Sequence, residues 1–153
     1  TPWYRVLPAL ATALFLGPIE EFGWRGVALP ALQRRMAPVW AGLLLGAVWG
    51  IWHLPSFLFG GTPQSAWEFG PFFAGLVAVS VVLTALYNAS RGSLLIAVLY
   101  HLQIMNPIWP DAQPWDNLLW VVVAVVVVVV RRQEMFRRGA GVTDLLAPTD
   151  LAA

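Results

Sequence analysis

The 153-residue chain lacks cysteine and lysine and carries few charged residues of any kind. The absence of cysteine excludes disulfides and thiolate chemistry. Charged residues make up 11% of the chain and hydrophobic residues 59%, whereas an average soluble domain has about 25% charged residues. A soluble domain of this size cannot bury so much apolar surface. The composition therefore excludes a soluble globular domain, a disordered chain and a nucleic-acid binder, and predicts a polytopic membrane protein.

Five apolar stretches are separated by proline, glycine and charged residues. A lone strand leaves its backbone unpaired in lipid, so even the valine-rich last stretch is predicted to be helical. We expect an all-α bundle of about five transmembrane helices over residues 1–130, followed by a polar C-terminal tail over 131–153. The stretches cover residues 4–29, 39–59, 71–87, 93–106 and 115–130.

The arginine residues alternate between loops. Arginines follow the first, third and fifth stretches, whereas the second and fourth loops contain none. The positive-inside rule then places the first loop, the third loop and the C-terminus in the cytoplasm. This topology puts residue 1 outside, and we expect that one or more N-terminal spans precede it.

Six polar residues lie within or at the edges of these stretches, where ionisable groups are costly and usually face protein or a wet cavity. Counted from the cytoplasmic end of each span, Glu20 lies about 14 Å deep, His53 about 20 Å and His101 about 12 Å. Three helices thus deliver a carboxylate and two imidazoles to one layer. The six residues are Glu20, Glu21, Arg25, His53, His101 and Asn106.

Neighbouring residues indicate which groups face the protein interior. Glu21 and Arg25 are four residues apart and fit a structural ion pair on one helix face. Small residues at every fourth position of the second stretch allow another helix to approach closely, and His53 lies near their stripe. A core histidine and a helix terminator are the plainer interpretations of His53 and Asn106. The small residues are Gly42, Gly46 and Gly50.

A carboxylate, two imidazoles and an amide suit the activation of water and the hydrolysis of an acyl group. A buried glutamate serves as general base, and one imidazole orients the same water. The second imidazole and the amide donate to the oxyanion of a tetrahedral intermediate. The same groups also suit Zn²⁺. The chain has no H-E-x-x-H or G-x-S-x-G sequence, so nucleophilic serine chemistry has no support.

Three motifs resemble those of the CPBP intramembrane proteases, which include CAAX proteases and bacteriocin-processing enzymes. Residues 20–26, Glu-Glu-Phe-Gly-Trp-Arg-Gly, resemble the E-E-x-x-x-R motif. Trp49 and His53 resemble the second motif, although its aromatic residue is usually Phe. His101 and Asn106 resemble the third, although the Asn usually lies four residues after the His, where this chain has Met105.

The resemblance implies an all-helical intramembrane endopeptidase in a bacterial plasma membrane, acting on a peptide or protein substrate. It implies that Glu20 is the base, that His53 helps it activate water, and that His101 and Asn106 are oxyanion donors. It also implies that Glu21 and Arg25 support the site. We favour a mechanism without a cofactor; the alternative is a zinc ion bound by Glu20, His53 and His101.

Two other functions remain open at this point. The first is a non-enzymatic immunity or scaffold protein that binds a peptide or partner in the same cavity. The second is a proton-coupled transporter with Glu20 and the histidines as a relay, which the lack of a visible inverted repeat disfavours. Membrane lipid is an expected partner in every case. The sequence does not give the oligomeric state.

Overall fold

The computed structural model describes residues 19–105 and 112–144, together with Tyr4, Leu7, Pro8, Ala11 and Phe15. Regular structure in these residues is entirely helical, which confirms the predicted all-α class. Two short turns complete the elements, a π turn at Trp24–Ala28 and a 3₁₀ turn at Pro63–Ala66. The helices are α1 (Leu29–Gln33), α2 (Pro38–Trp52), α3 (Leu54–Leu58), α4 (Phe69–Ala89), α5 (Leu94–Ile104), α6 (Trp115–Val130) and α7 (Arg132–Met135).

Two helical stretches, Pro38–Leu58 and Phe69–Ala89, are each 21 residues long and apolar enough to cross a membrane. Helices α5 and α6 are apolar but shorter, with 11 and 16 residues. The valine-rich stretch is helical, as predicted. Ten residues of the first predicted span, residues 4–29, lie outside the described residues, namely 5–6, 9–10, 12–14 and 16–18, as do Asn106 and residues 145–153.

Buried residues recur at every fourth position between residues 21 and 29. Glu21, Arg25 and Leu29 are each 0% exposed. In an α-helix such a row drifts around the axis by about 40° per step, because one turn holds 3.6 residues. Here the N–H of Leu29 bonds to the carbonyl of Trp24, five residues back. This wider π turn opposes the drift and keeps Arg25 and Leu29 on the face that packs into the bundle.

The second predicted span is broken at His53, between α2 and α3. Pro55 has no N–H to give to the carbonyl four residues before it, and the N–H of His53 bonds instead to Gly50, three residues back, at 3.2 Å. The chain continues as α3 after this break. The break sets His53 at the junction of two helices rather than within one.

The glycine stripe of α2 packs closely against α4, as predicted. A Cβ atom on Gly46 would lie 2.8 Å from both the Cα of Val77 and the Cβ of Ser80. A Cβ atom on Gly42 would lie 2.8 Å from the hydroxyl of Thr84. Only glycine permits this approach, which also fixes where Ser80 projects into the bundle.

The arginine-bearing loops and the chain after α6 meet at one end of the bundle. The amide of Gln33 donates to the carbonyl of Val142 at 2.8 Å and exchanges hydrogen bonds with the amide of Asn88. The N–H of Val142 donates back to Asn88 at 2.9 Å. Residues 131–144, predicted as part of a polar tail, therefore fold back onto the loops, and α7 buries Met135.

Candidate active site

The indole ring of Trp49 lies at the centre of the predicted site and is 2% exposed. Its centroid lies 5.1 Å from that of His101 and 5.9 Å from that of His53, both in edge-on contact. The guanidinium carbon of Arg25 lies 4.9 Å from the same centroid. The side chain of Trp49 is thus in contact with three predicted site residues, Arg25, His53 and His101.

Glu20 is half-buried and held by this tryptophan. The indole N–H of Trp49 donates to Oε2 of Glu20 at 2.8 Å. A hydrogen bond to an ionised acceptor is stronger than a neutral one and fixes the carboxylate in direction. The second carboxylate oxygen of Glu20 makes no hydrogen bond with another described residue and is free to accept one.

His53 is held by the same residue through its backbone. Nδ1 of His53 lies 2.9 Å from the carbonyl oxygen of Trp49. Because a carbonyl only accepts, Nδ1 must carry the proton, and Nε2 of the neutral ring is left as an acceptor. The ring also packs on Phe72 at 5.5 Å. Trp49 therefore orients Glu20 with its side chain and His53 with its main chain.

His101 pairs with Glu21, the neighbour of the predicted base. Nδ1 of His101 lies 2.7 Å from Oε1 of Glu21, and that oxygen also accepts from Arg25 at 3.1 Å. Arg25 donates further to the hydroxyl of Ser80 at 3.3 Å. The Glu21–Arg25 pair predicted from the i, i+4 spacing is present. A buried charged chain, Arg25–Glu21–His101, thus connects the segment before α1 to α5, and the contact with Ser80 connects it to α4.

The predicted residues are therefore divided between two connected groups. Glu20 and His53 are linked through Trp49, whereas His101 is tied to Glu21, and the Trp49 ring lies between the groups. Asn106 is outside the described residues, and Met105 occupies the position one turn after His101, its N–H bonded to the carbonyl of His101 at 3.1 Å. That these groups line one wet cavity stays a prediction.

Trp49 and Ser80 were not predicted as site residues. The signal for Trp49 was available, because an aromatic residue four positions before His53 lies on the same helix face and carries an N–H. Ser80 had no such signal, since its contact with Arg25 depends on how closely α2 and α4 pack.

Zinc binding by Glu20, His53 and His101 was the predicted alternative. Within residues 19–105 and 112–144, no three histidine, aspartate or glutamate side chains lie close enough together to share a metal ion. Both Nδ1 atoms are engaged, one with Trp49 and one with Glu21, so only the Nε2 atoms could bind a metal ion, and these contacts do not themselves oppose it. The described residues do not assemble a ligand set.

Fold and site together define an all-helical membrane protein that buries acid, imidazole and guanidinium groups between its helices. The family of type II CAAX prenyl endopeptidases, Rce1-like, matches residues 2–105. The chain belongs to this family, as the three motifs predicted. It is similar to CAAX prenyl protease 2 of Methanococcus maripaludis, with 31% identity over 104 residues, which cover 64% of this chain. The chain spans 38% of the length of that relative.

Proposed function

We propose that the chain is an intramembrane endopeptidase that hydrolyses a peptide bond with a water molecule activated by Glu20 and His53. The observation that supports this most strongly is the double role of Trp49, whose N–H orients the carboxylate at 2.8 Å and whose carbonyl orients the imidazole at 2.9 Å. Each group also has an acceptor atom with no hydrogen bond to another residue of the described ranges. Two acceptors held by one rigid residue are suited to polarise the same water.

The reaction proceeds by direct attack of water on the peptide carbonyl carbon. Glu20 takes the proton as the water oxygen bonds to carbon, and His53 Nε2 accepts a hydrogen bond from the same water. The carbonyl oxygen becomes an oxyanion. When the C–N bond breaks, the C=O bond re-forms from the oxyanion and the proton held by Glu20 passes to the leaving amine, which leaves a new carboxylic acid and a free amine.

His101 serves as an oxyanion donor in this proposal. With Nδ1 facing Glu21, the ring donates from Nε2 only when both nitrogens are protonated. The carboxylate of Glu21 then faces an imidazolium on one side and Arg25 on the other. Asn106 is proposed as the second donor. Removal of one such donor typically costs about a hundredfold or more in kcat.

The proposed substrate is the C-terminal segment of a prenylated, CAAX-type membrane protein, as the name of the Methanococcus maripaludis relative indicates. Bacteriocin-related processing is the alternative within the same chemistry. A farnesylated reporter peptide and its unprenylated counterpart, both offered in proteoliposomes, distinguish the two substrate classes. If the substrate is a prenylated, CAAX-type segment, we expect cleavage to require the prenyl group.

Loss of the base tests the enzyme proposal. In proteoliposomes we expect Glu20→Gln to abolish cleavage of the reporter, because an amide cannot accept the proton. Glu68→Gln is the matched control, since Glu68 is exposed and lies just before α4. Equal cleavage by wild type and Glu20→Gln, with equal insertion, contradicts the proposal.

A non-enzymatic immunity or scaffold function is the second candidate, and one observation favours it. Met105, rather than an amide, lies one helical turn after His101. A scaffold binds its partner in the same region without hydrolysis. In a cellular protection assay, full protection by Glu20→Gln together with loss of proteolysis supports the scaffold function.

We further propose that the arginine-bearing end of the bundle faces the cytoplasm of a bacterial cell, following the positive-inside rule. Residues 131–144 then lie on the cytoplasmic side of the membrane, folded against the loops after α1 and α4. A reporter enzyme fused after residue 153 tests this: cytoplasmic reporter activity supports the orientation, and periplasmic activity contradicts it.

A further inference from the structure

A concavity of about 620 Å³ lies at the arginine-bearing end of the bundle, away from the proposed active site. One wall is formed by the turn after α1, and the other by the segment after α7. Three of its lining residues are arginines, namely Arg34, Arg35 and Arg138.

The positive charge of this concavity is only partly neutralised. Arg34 pairs with Asp144 at 2.7 Å and donates to the carbonyl of Thr143 at 3.2 Å. Arg138 donates to the backbone carbonyl of Arg35 at 2.6 Å, which is a neutral acceptor. One aspartate thus accompanies three arginines. These contacts hold two guanidinium groups in place and leave positive charge for an anion.

An exposed aromatic pair lies beside these two chain segments. Trp40, in the first turn of α2, and Phe136, directly after α7, have ring centroids 6.3 Å apart. They are 56% and 52% exposed. Aromatic rings at the end of a membrane-spanning helix are typical of the lipid–water interface. This arrangement fits arginines at the height of the headgroups and rings at the start of the acyl region.

We propose that this concavity binds the phosphate of an anionic phospholipid headgroup, with the acyl chains of the lipid lying along Trp40 and Phe136. Guanidinium groups recognise phosphate oxygens with two parallel hydrogen bonds. Basic pockets on the cytoplasmic side of membrane proteins bind anionic headgroups. A free phosphate ion would use the arginines but not the aromatic pair, so the two observations together favour a lipid. The proposal is independent of the proposed peptidase function.

The test measures lipid binding to the purified chain in a non-ionic detergent by native mass spectrometry. The probes are phosphatidylglycerol, phosphatidylcholine with the same acyl chains, and inorganic phosphate as a competitor. The test variant is Arg35→Gln/Arg138→Gln. The matched control is Arg91→Gln/Arg132→Gln, which removes the same charge from exposed arginines that do not line the concavity.

We expect wild type and the control to prefer phosphatidylglycerol over phosphatidylcholine, and the test variant to bind phosphatidylglycerol at least about tenfold more weakly. We also expect inorganic phosphate to leave the bound lipid in place. Equal binding of the two lipids overturns the proposal, as does an equal loss in both double variants. Displacement of the lipid by inorganic phosphate assigns the site to a free anion instead. An unchanged melting temperature in the test variant shows that any loss of binding is local.

Discussion

The indole N–H of Trp49 donates to the carboxylate of Glu20 at 2.8 Å, a contact that phenylalanine at the same position cannot make. The same ring separates His53 from His101. Trp49 therefore combines the packing role of an aromatic residue with a hydrogen bond to the proposed base.

Replacing the indole by a phenyl ring tests this hydrogen bond. We expect Trp49→Phe to lower kcat about 10-fold to 100-fold, since a hydrogen bond to a charged group contributes about 1.5–3 kcal/mol. KM should change little, because the N–H is engaged by the carboxylate of Glu20 and is not available to bind substrate. Trp52→Phe is the control, as Trp52 is 65% exposed. Loss in KM alone, or equal effects of both substitutions, contradicts this role.

Neutralising Glu21 tests the buried charged chain. We expect Glu21→Gln to reduce the free energy of unfolding by about 3–5 kcal/mol, because it leaves Arg25 buried without its charged partner. Glu134→Gln breaks an exposed pair with Arg131 and should cost less than about 1 kcal/mol. Equilibrium unfolding in mixed detergent micelles measures both. If both variants lose a similarly small free energy of unfolding, the Arg25–Glu21–His101 contacts are not required for stability.

The close approach of α2 and α4 predicts a steric effect at Gly46. We expect Gly46→Ala to destabilise the protein by about 1–3 kcal/mol, since the new methyl group meets the backbone of Val77. Gly23→Ala is the control, because its Cβ has no atom within 4 Å; we expect it to be neutral or slightly stabilising, given the helix propensity of alanine. A melting curve that Gly46→Ala leaves unchanged contradicts the packing described.

Treatment with a chelator distinguishes hydrolysis without a cofactor from hydrolysis that depends on zinc. The described residues assemble no group of three metal ligands, so we expect cleavage to persist after treatment with EDTA or 1,10-phenanthroline. A loss of cleavage that added Zn²⁺ restores, and Mg²⁺ does not, would support the zinc alternative with Glu20, His53 and His101.

The helices were predictable from the sequence because apolar stretches bounded by glycine, proline and charge have few alternatives in lipid. The polar residues of the site were also predictable, since each stands out in such a stretch. Which of these residues pair with one another was not predictable from the sequence. One residue turns a helix by about 100°, so the sequence could not tell whether Glu20 or Glu21 would meet His101, and the π turn at Trp24–Ala28 shifts this register further.

The docking of the segment after α7 onto the loops could not be predicted from the sequence either. Its attachment depends on the amides of Gln33 and Asn88, which are 55 residues apart in the chain. Nothing in the composition of residues 131–144 distinguishes a docked segment from a polar tail. Contacts of this kind appear only once the helices that carry both amides have packed.

The most direct test of the account measures kcat for Glu20→Gln, His53→Asn and the double variant on the same membrane-borne peptide. If both residues act on one water molecule, each single substitution should remove most of the activity, and the double variant should be little worse than either. If the loss of kcat in the double variant equals the product of the two single losses, the claim that Glu20 and His53 work as a unit is contradicted. Cleavage at the wild-type rate by either single variant would contradict it as well.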